Sequence, residues 1–226
     1  MAKVATQLSR MKVIPLNRET LQERIYRQVS ALILDGEIIP GQLVTIQGMA
    51  DAFGVSHMPV REALKRLASA NALTVVSGRS IGIPHLSRER LKDLYAVRLE
   101  IETLAGQWAA RNMTVEELDA LQEECRDLRN AGASDDVRAY LRANRVFHFS
   151  IYRAARSESL LAIIENLWLQ IGPYLNLLRG SGNYSSANKH HQTMVECLRT
   201  RDAAGVSDAL RADIEEAYCV LLKLLK

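Results

Sequence analysis

From residue 18 onward the apolar positions fall into helical steps. Leu21, Ile25, Val29, Leu32 and Ile33 recur three and four apart before Asp35-Gly36 supplies a stop, so the pattern predicts a helix over about 18–35. Pro40-Gly41 marks a turn, and Leu43-Val44-Thr45-Ile46 reads as a short extended stretch. A second helix follows over about 47–53, with Met49, Ala50 and Phe53 inward. It ends at Gly54, and Ser56 is a good N-cap for a third helix through Ala70 that buries Val60, Leu64 and Leu67. Leu73 to Val76 and Ile81 to Ile83 are β-like runs joined by Ser77-Gly78-Arg79-Ser80, a hairpin signature. Helix, helix, turn, helix, hairpin is the order of a winged helix-turn-helix, here spanning 18–84.

Beyond Pro84 the periodicity is helical throughout. Segments are expected at about 88–111, 114–130, 134–156, 157–178, 185–200 and 202–225, with turns at Asn112, Ala131-Gly132, Ser157, Gly180-Ser181-Gly182 and Arg201-Asp202. Connections this short imply an antiparallel bundle. The fold class is therefore mostly α: an N-terminal winged helix-turn-helix (18–84) ahead of an all-helical bundle (85–226), with residues 1–17 read as a mobile basic arm.

Composition narrows this only slightly. A chain of 226 residues suits two unequal domains, and 48% apolar with 24% charged residues is ordinary for a globular protein. The net charge of +3 is unevenly spread: residues 1–84 hold ten Lys or Arg against six Asp or Glu, while the remainder holds nineteen against twenty. A basic excess in the N-terminal third fits an electrostatic contact with nucleic acid. No eighteen-residue apolar run and no signal-peptide pattern is visible, so the expected location is cytoplasmic, with no membrane partner. Cys125, Cys197 and Cys219 lack CxxC spacing and read as reduced, buried thiols.

A helix presented by a tight turn can enter the major groove, where its first side chains reach base edges and its amide end favours phosphate. Here that end is Ser56-His57-Met58-Pro59, followed by Arg61 and Lys65. Ser56 and His57 are candidate donors to phosphate or bases, Arg61 a bidentate partner for guanine, and Lys65 a phosphate contact. Gly78 and Arg79 form the hairpin tip, from which Arg79 would reach the minor groove or flanking phosphates. The alternative is a solvated helix face in which Arg61 and Lys65 pair with Glu62.

The strings Pro40-Gly41-Gln42-Leu43, Met49-Ala50-Asp51-Ala52-Phe53-Gly54-Val55-Ser56 and Pro59-Val60-Arg61-Glu62-Ala63-Leu64-Lys65-Arg66-Leu67 resemble the GntR family of bacterial regulators across nearly the whole N-terminal domain. The resemblance implies a homodimer that binds a palindromic double-stranded operator through this helix and wing. Two positions depart from the family pattern. His57 stands where a base-contacting Arg is usual, so the operator is expected to differ from the family consensus, and Ala70-Asn71-Ala72-Leu73 replaces an acidic-Gly-Leu ending.

Polar residues on inward faces form a second constellation. Val137, Leu141, Asn144, His148, Ile151 and Ala155 follow steps of three and four, which places Asn144 and His148 in an apolar stripe. His191 aligns with Met194, Val195 and Leu198, and Asp213 with Val206, Leu210, Ala217, Val220 and Leu224. A divalent cation such as zinc, nickel, manganese or iron would satisfy these oxygen and nitrogen ligands together. Alternatively, Asn144 and His148 hydrogen-bond each other and Asp213 faces a basic side chain.

Leu94-Tyr95-Ala96-Val97-Arg98-Leu99-Glu100, with Phe147-His148 and the last helix pair, resembles the FCD ligand-binding domain of the FadR-type GntR subfamily over about residues 88–222. Many members hold a metal with an Asp or Asn, a His four residues later and two further His. Asn144, His148 and His191 fall on the first three positions, and Asp213 replaces the fourth. The resemblance further implies a small organic acid above the metal. Arg98 is then a carboxylate-binding candidate, or else the i+4 partner of Glu102. Tyr95, Arg145 and Asn176 are weaker candidates for the same pocket. An enzyme built on the same cation would need a general base, and no unclaimed inward Glu or His is apparent. A metal or metabolite sensor acting without DNA is the remaining alternative.

Overall fold

Thr20 accepts a hydrogen bond from the Glu23 amide at 3.2 Å and so starts helix α1, Leu21–Leu34, whose buried face is Ile25, Val29 and Ile33. Leu21, expected inward, is exposed at the helix's first position. The chain is seen in a computed structural model that describes residues 20–77, 80–134, 136–178 and 183–225. The N-terminal arm, Gly78, Arg79 and the Gly180-Ser181-Gly182 turn lie outside the described residues.

The extended run after Pro40 is strand β1, Leu43–Thr45, and it joins the wing. Ile46 belongs instead to α2, Ile46–Phe53, because Thr45 caps that helix by accepting from the Gly48 amide at 2.9 Å. Gly54 ends α2 with φ of 64°, a left-handed conformation that costs glycine little, and the short turn delivers α3, His57–Ser69. Strands β2, Thr74–Ser77, and β3, Ser80–Gly82, complete an antiparallel sheet of order β1-β3-β2 in which Ile81 lies opposite both Val44 and Val75.

Ser87 caps α4, Arg88–Asn112, through the Arg90 amide at 3.1 Å. Helices α5, Val115–Ala133; α6, Val137–Ala154; α7, Glu158–Ile171; α8, Asn183–Arg199; and α9, Ala203–Leu224, complete the bundle. Two expected boundaries move. Helix α5 continues through Ala131-Gly132, since a single glycine costs a helix only about 1 kcal/mol and the last-turn carbonyl of Ala131 is taken up by the Ser134 hydroxyl at 2.8 Å. Helix α7 stops early, because Pro173 cannot supply an amide to it, and Gly172–Leu178 winds as a 3₁₀ helix.

Helix α4 is central, packed on α6, α7 and α9. Its approach to α9 is close at Gly106, where a Cβ would fall 2.4 Å from Leu210 Cδ1 and 2.9 Å from Val206 Cγ1. The winged helix is docked on the bundle. Helix α1 touches α6, α7 and the 3₁₀ helix, and the Tyr174 hydroxyl donates to the Pro84 carbonyl. No helix among the described residues is long and apolar enough to cross a membrane. The cysteines are free, but Cys219 is exposed and Cys125 and Cys197 only half-buried. Cys219 sits two residues from buried Leu221, about 200° around α9, which turns it outward.

Both Val206 and Leu210 are fully buried and have no room to withdraw. Gly106→Val is therefore expected to destabilise the chain by about 1–3 kcal/mol through overpacking. Urea unfolding checks this, and an unchanged midpoint would contradict the α4–α9 packing.

Candidate functional site

The N-terminal end of α3 is free of internal obligations. Ser56 has the backbone conformation of an N-cap, but its side chain makes no capping hydrogen bond, so its hydroxyl is not spent on the helix as the capping pattern suggested. Ser56, His57 and Arg61 are exposed, Met58 is 67% exposed, and no ion pair involves Arg61 among the described residues. Lys65 does pair with Glu62 at 3.0 Å, but both are solvent-exposed and such a pair is weak. Four cores of the expectation, Ser56, His57, Arg61 and Lys65, therefore share one open face.

In the bundle, His148 from α6, His191 from α8 and Asp213 from α9 converge, with one ligand atom of each within 4.8 Å of the others. Asp213 Oδ2 lies 3.5 Å from His148 Nε2, and Oδ1 lies 3.3 Å from His191 Nε2. Helical spacing aims them: Leu141, Asn144 and His148 share the inward stripe of α6, as Met194 and His191 do on α8. Asn144 lines the same cavity but makes no hydrogen bond to His148 among the described residues.

The proton arrangement follows from the neighbours. Glu102, on α4, is fully buried and accepts from Arg98 Nε at 2.5 Å, from Trp168 Nε1 at 3.1 Å and from the Tyr152 hydroxyl. With its proton committed to Glu102, the Tyr152 oxygen accepts from His148 Nδ1 at 3.3 Å. That leaves the His148 Nε2 lone pair aimed at Asp213. Burial pushes the His148 pKa down to about 3, against the pull of Asp213, so this imidazole is neutral. Burial by itself would raise Asp213, but His191, 3.3 Å away, outweighs it and holds the carboxyl at about 2. Both ring nitrogens of His191 are buried without a hydrogen-bond partner, the 3.3 Å approach to Asp213 being too poorly directed to count as one. A lone pair, a carboxylate and an orphaned imidazole facing one another is a donor set for a cation.

Above this cluster lies a cavity of about 30 Å³ walled by Arg98, Tyr140, Leu141, Asn144, Trp168 and Tyr184, among others. The rings of Tyr140 and Tyr184 stack across it at 3.7 Å. Arg98 reaches the cavity while bound to Glu102, so it is the structural partner of the i+4 carboxylate as well as a wall. The three weaker pocket candidates lie elsewhere. Tyr95 is on the far side of Arg98, stacked on Tyr218 at 4.0 Å. Arg145 turns away from the cavity to bind Asp35 at 2.7 and 2.9 Å, because α6 presents that flank to α1. Asn176 donates to the Pro173 carbonyl at 3.1 Å and abuts Gly36. Gly78 and Arg79 are not among the described residues.

Tyr152 and Trp168 escaped the sequence reading, which held Glu102 only as the i+4 partner of Arg98. Tyr152 was within its reach, four residues after His148 on the same stripe, and so was the burial of Glu102, which continues the buried run Leu91, Leu94, Arg98 on α4. Trp168 carries no such signal, since only the packing of α7 brings its ring nitrogen to Glu102.

A winged helix with an open face bearing Arg61 and Lys65, set on a helical bundle that encloses a small polar cluster, is the architecture of a DNA-binding transcriptional regulator. Residues 21–83 match the gntR family of bacterial regulatory proteins and residues 93–216 match the FCD domain; the chain belongs to that family. It is 30% identical over 189 residues to the HTH-type transcriptional regulator McbR of Escherichia coli strain K12, covering 82% of this chain and 86% of McbR. It is 23% identical to the gluconate operon transcriptional repressor of Bacillus licheniformis, covering 83% of this chain and 79% of the repressor. The solved structure of E. coli McbR/YncC superposes with a TM-score of 0.83 at 27% identity, over 92% of this chain and 99% of that one.

Removing the Glu102 carboxylate would strand a buried guanidinium together with a tyrosine hydroxyl and an indole N–H. Glu102→Ala is accordingly expected to cost about 3–5 kcal/mol in denaturant unfolding. A loss below about 1 kcal/mol would mean that the Arg98 charge finds another partner.

Proposed function

We propose that this regulator acts as a homodimer on a palindromic operator, and that a small organic acid controls it from the bundle, held there by a divalent cation. The observation that carries the reading is His191: a fully buried imidazole with neither nitrogen hydrogen-bonded, facing a carboxylate and a second, neutral imidazole. His148, His191 and Asp213, with Asn144 beside them, suit zinc, nickel, manganese or iron, and the Asp213 carboxylate supplies the charge that a third imidazole would not. Tyr152 and Glu102 serve the ligand set from behind by holding the His148 ring in the tautomer that presents Nε2. The cation would offer an effector carboxylate a direct anchor. Arg98, its charge already balanced by Glu102, contributes its remaining N–H groups to the same wall.

On the DNA side, Arg61 is the base-reading candidate, Ser56 and His57 contact phosphate or base edges, Lys65 contacts phosphate, and Arg79 is the candidate for the minor groove or flanking phosphates. His57 in place of the family's usual arginine alters which base pair is read at that position.

Two measurements test this reading. Nickel or zinc titrated into chelator-treated protein is expected to bind one ion per chain, with affinity lowered at least about tenfold in His191→Ala and in Asp213→Ala, and by a similar factor in Tyr152→Phe. Wild-type affinity that survives His191→Ala sinks the cation site. Independently, DNA selected from a random pool is expected to show a two-fold symmetric site, from which Arg61→Ala loses about 1–3 kcal/mol and relaxes one base position. An unchanged site preference in Arg61→Ala would remove that residue from the readout.

A further inference from the structure

The cavity has room for about one water molecule, so anything larger must move a wall. The walls are not equally movable. Arg98 and Trp168 are tied to the buried Glu102 carboxylate. Leu141 and Leu175 have apolar side chains that no hydrogen bond holds, and belong to α6 and the 3₁₀ helix, segments against which α1 docks.

Behind Leu141 stands Gly36, the residue that follows the α1 C-cap. A Cβ there would fall 2.8 Å from both Leu141 Cδ1 and Asn176 Nδ2, and its φ of 72° already disfavours any side chain. Gly36 thus lets the backbone of the DNA-binding part press directly on the outer surface of the effector cavity's wall. The residues on either side are clamped. Asp35 binds Arg145 at 2.7 Å and approaches Arg142 at 3.7 Å, while Glu37 binds Arg138 at 2.8 Å. Arg138, Arg142 and Arg145 stand at i, i+4 and i+7 along one flank of α6, and Leu141, Asn144 and His148 along the neighbouring flank. One helix therefore carries cavity wall, candidate cation ligand and interdomain clamp.

We infer that this junction is the coupling element of the protein: an occupant that displaces Leu141 or the 3₁₀ helix pushes on Gly36, and the Asp35–Arg145 and Glu37–Arg138 pairs convert that push into a new seat for α1 and the winged helix. The inference rests on the reading of the cavity as the effector site, but not on the cation. An effector shifts the two arrangements only as far as it binds them differently, and a wall shared by cavity and junction supplies that difference.

The test adds neither metal nor acid, so its failure is distinct from a failure of the metal titration. Leu141→Phe enlarges the wall from inside. In full-length protein it is expected to change affinity for the selected DNA at least fivefold at fixed salt, with faster amide exchange at residues 33–39. In an Arg145→Ala background the same substitution is expected to change affinity less than twofold, because the clamp that transmits it is gone. Should Leu141→Phe not fold by circular dichroism, Leu175→Phe enlarges the adjacent wall and is judged by the same rule. A folded wall variant with unaltered DNA affinity, or one whose effect is the same with and without Arg145, overturns the inference. So does exchange at 33–39 that Arg145→Ala leaves unchanged, whatever the wall variants do.

Discussion

The structure of the bundle depends on one buried anion. Glu102 has no access to solvent, and a lone carboxylate in that position would not stay ionised. Arg98 from the same helix neutralises it, while Tyr152 from α6 and Trp168 from α7 occupy its remaining lone pairs. Three helices are thereby fixed in register by a single side chain, and such a pair is strongly specifying because every alternative arrangement leaves a buried polar group unmet. The consequence extends one bond further. Because Tyr152 spends its proton on Glu102, it can only accept from His148, and that settles which nitrogen of the imidazole looks into the cavity.

The division between reader and bundle is less sharp than the chain order suggests. A winged helix joined through Pro84 could be an independent module on a linker. Instead the end of α1 is sealed against α6 by Asp35, Gly36 and Glu37, and Leu34 lies against Gly172, where a Cβ would come within 3.2 Å of its Cδ2. The Asp35–Arg145 pair, partly buried and with two guanidinium N–H groups on one carboxylate oxygen, holds orientation better than exposed surface pairs do, yet the junction is made of few contacts that can exchange.

Much of this was legible in the sequence, for identifiable reasons. Periodicity placed His148, His191 and Asp213 inward, since a helix converts spacing into direction, and the turn at Gly54 located the reading helix. What escaped depended on long-range packing. Arg145 and Asn176 carry the right chemistry for a pocket, but their direction is set by α1, more than a hundred residues earlier in the chain for Arg145. Tyr95 fails similarly, because its stacking partner Tyr218 lies on another helix. Asp213 was legible as a ligand candidate but not as the centre of the cluster, a role that comes from lying between two imidazoles contributed by different helices.

Charge balance ties the cavity to the rest of the interior. Arg98 is balanced by Glu102, so Asp213 has no guanidinium or ammonium of its own, and its neighbour His148 is neutral. Asp213 is thus faced by imidazoles rather than by a fixed cation. A divalent ion there would leave a net positive centre, which is the condition for drawing an anion inward. With aspartate at the position where the family pattern has an imidazole, an ion bound here would be more strongly neutralised, so its hold on the protein would rise while its pull on an acid would weaken.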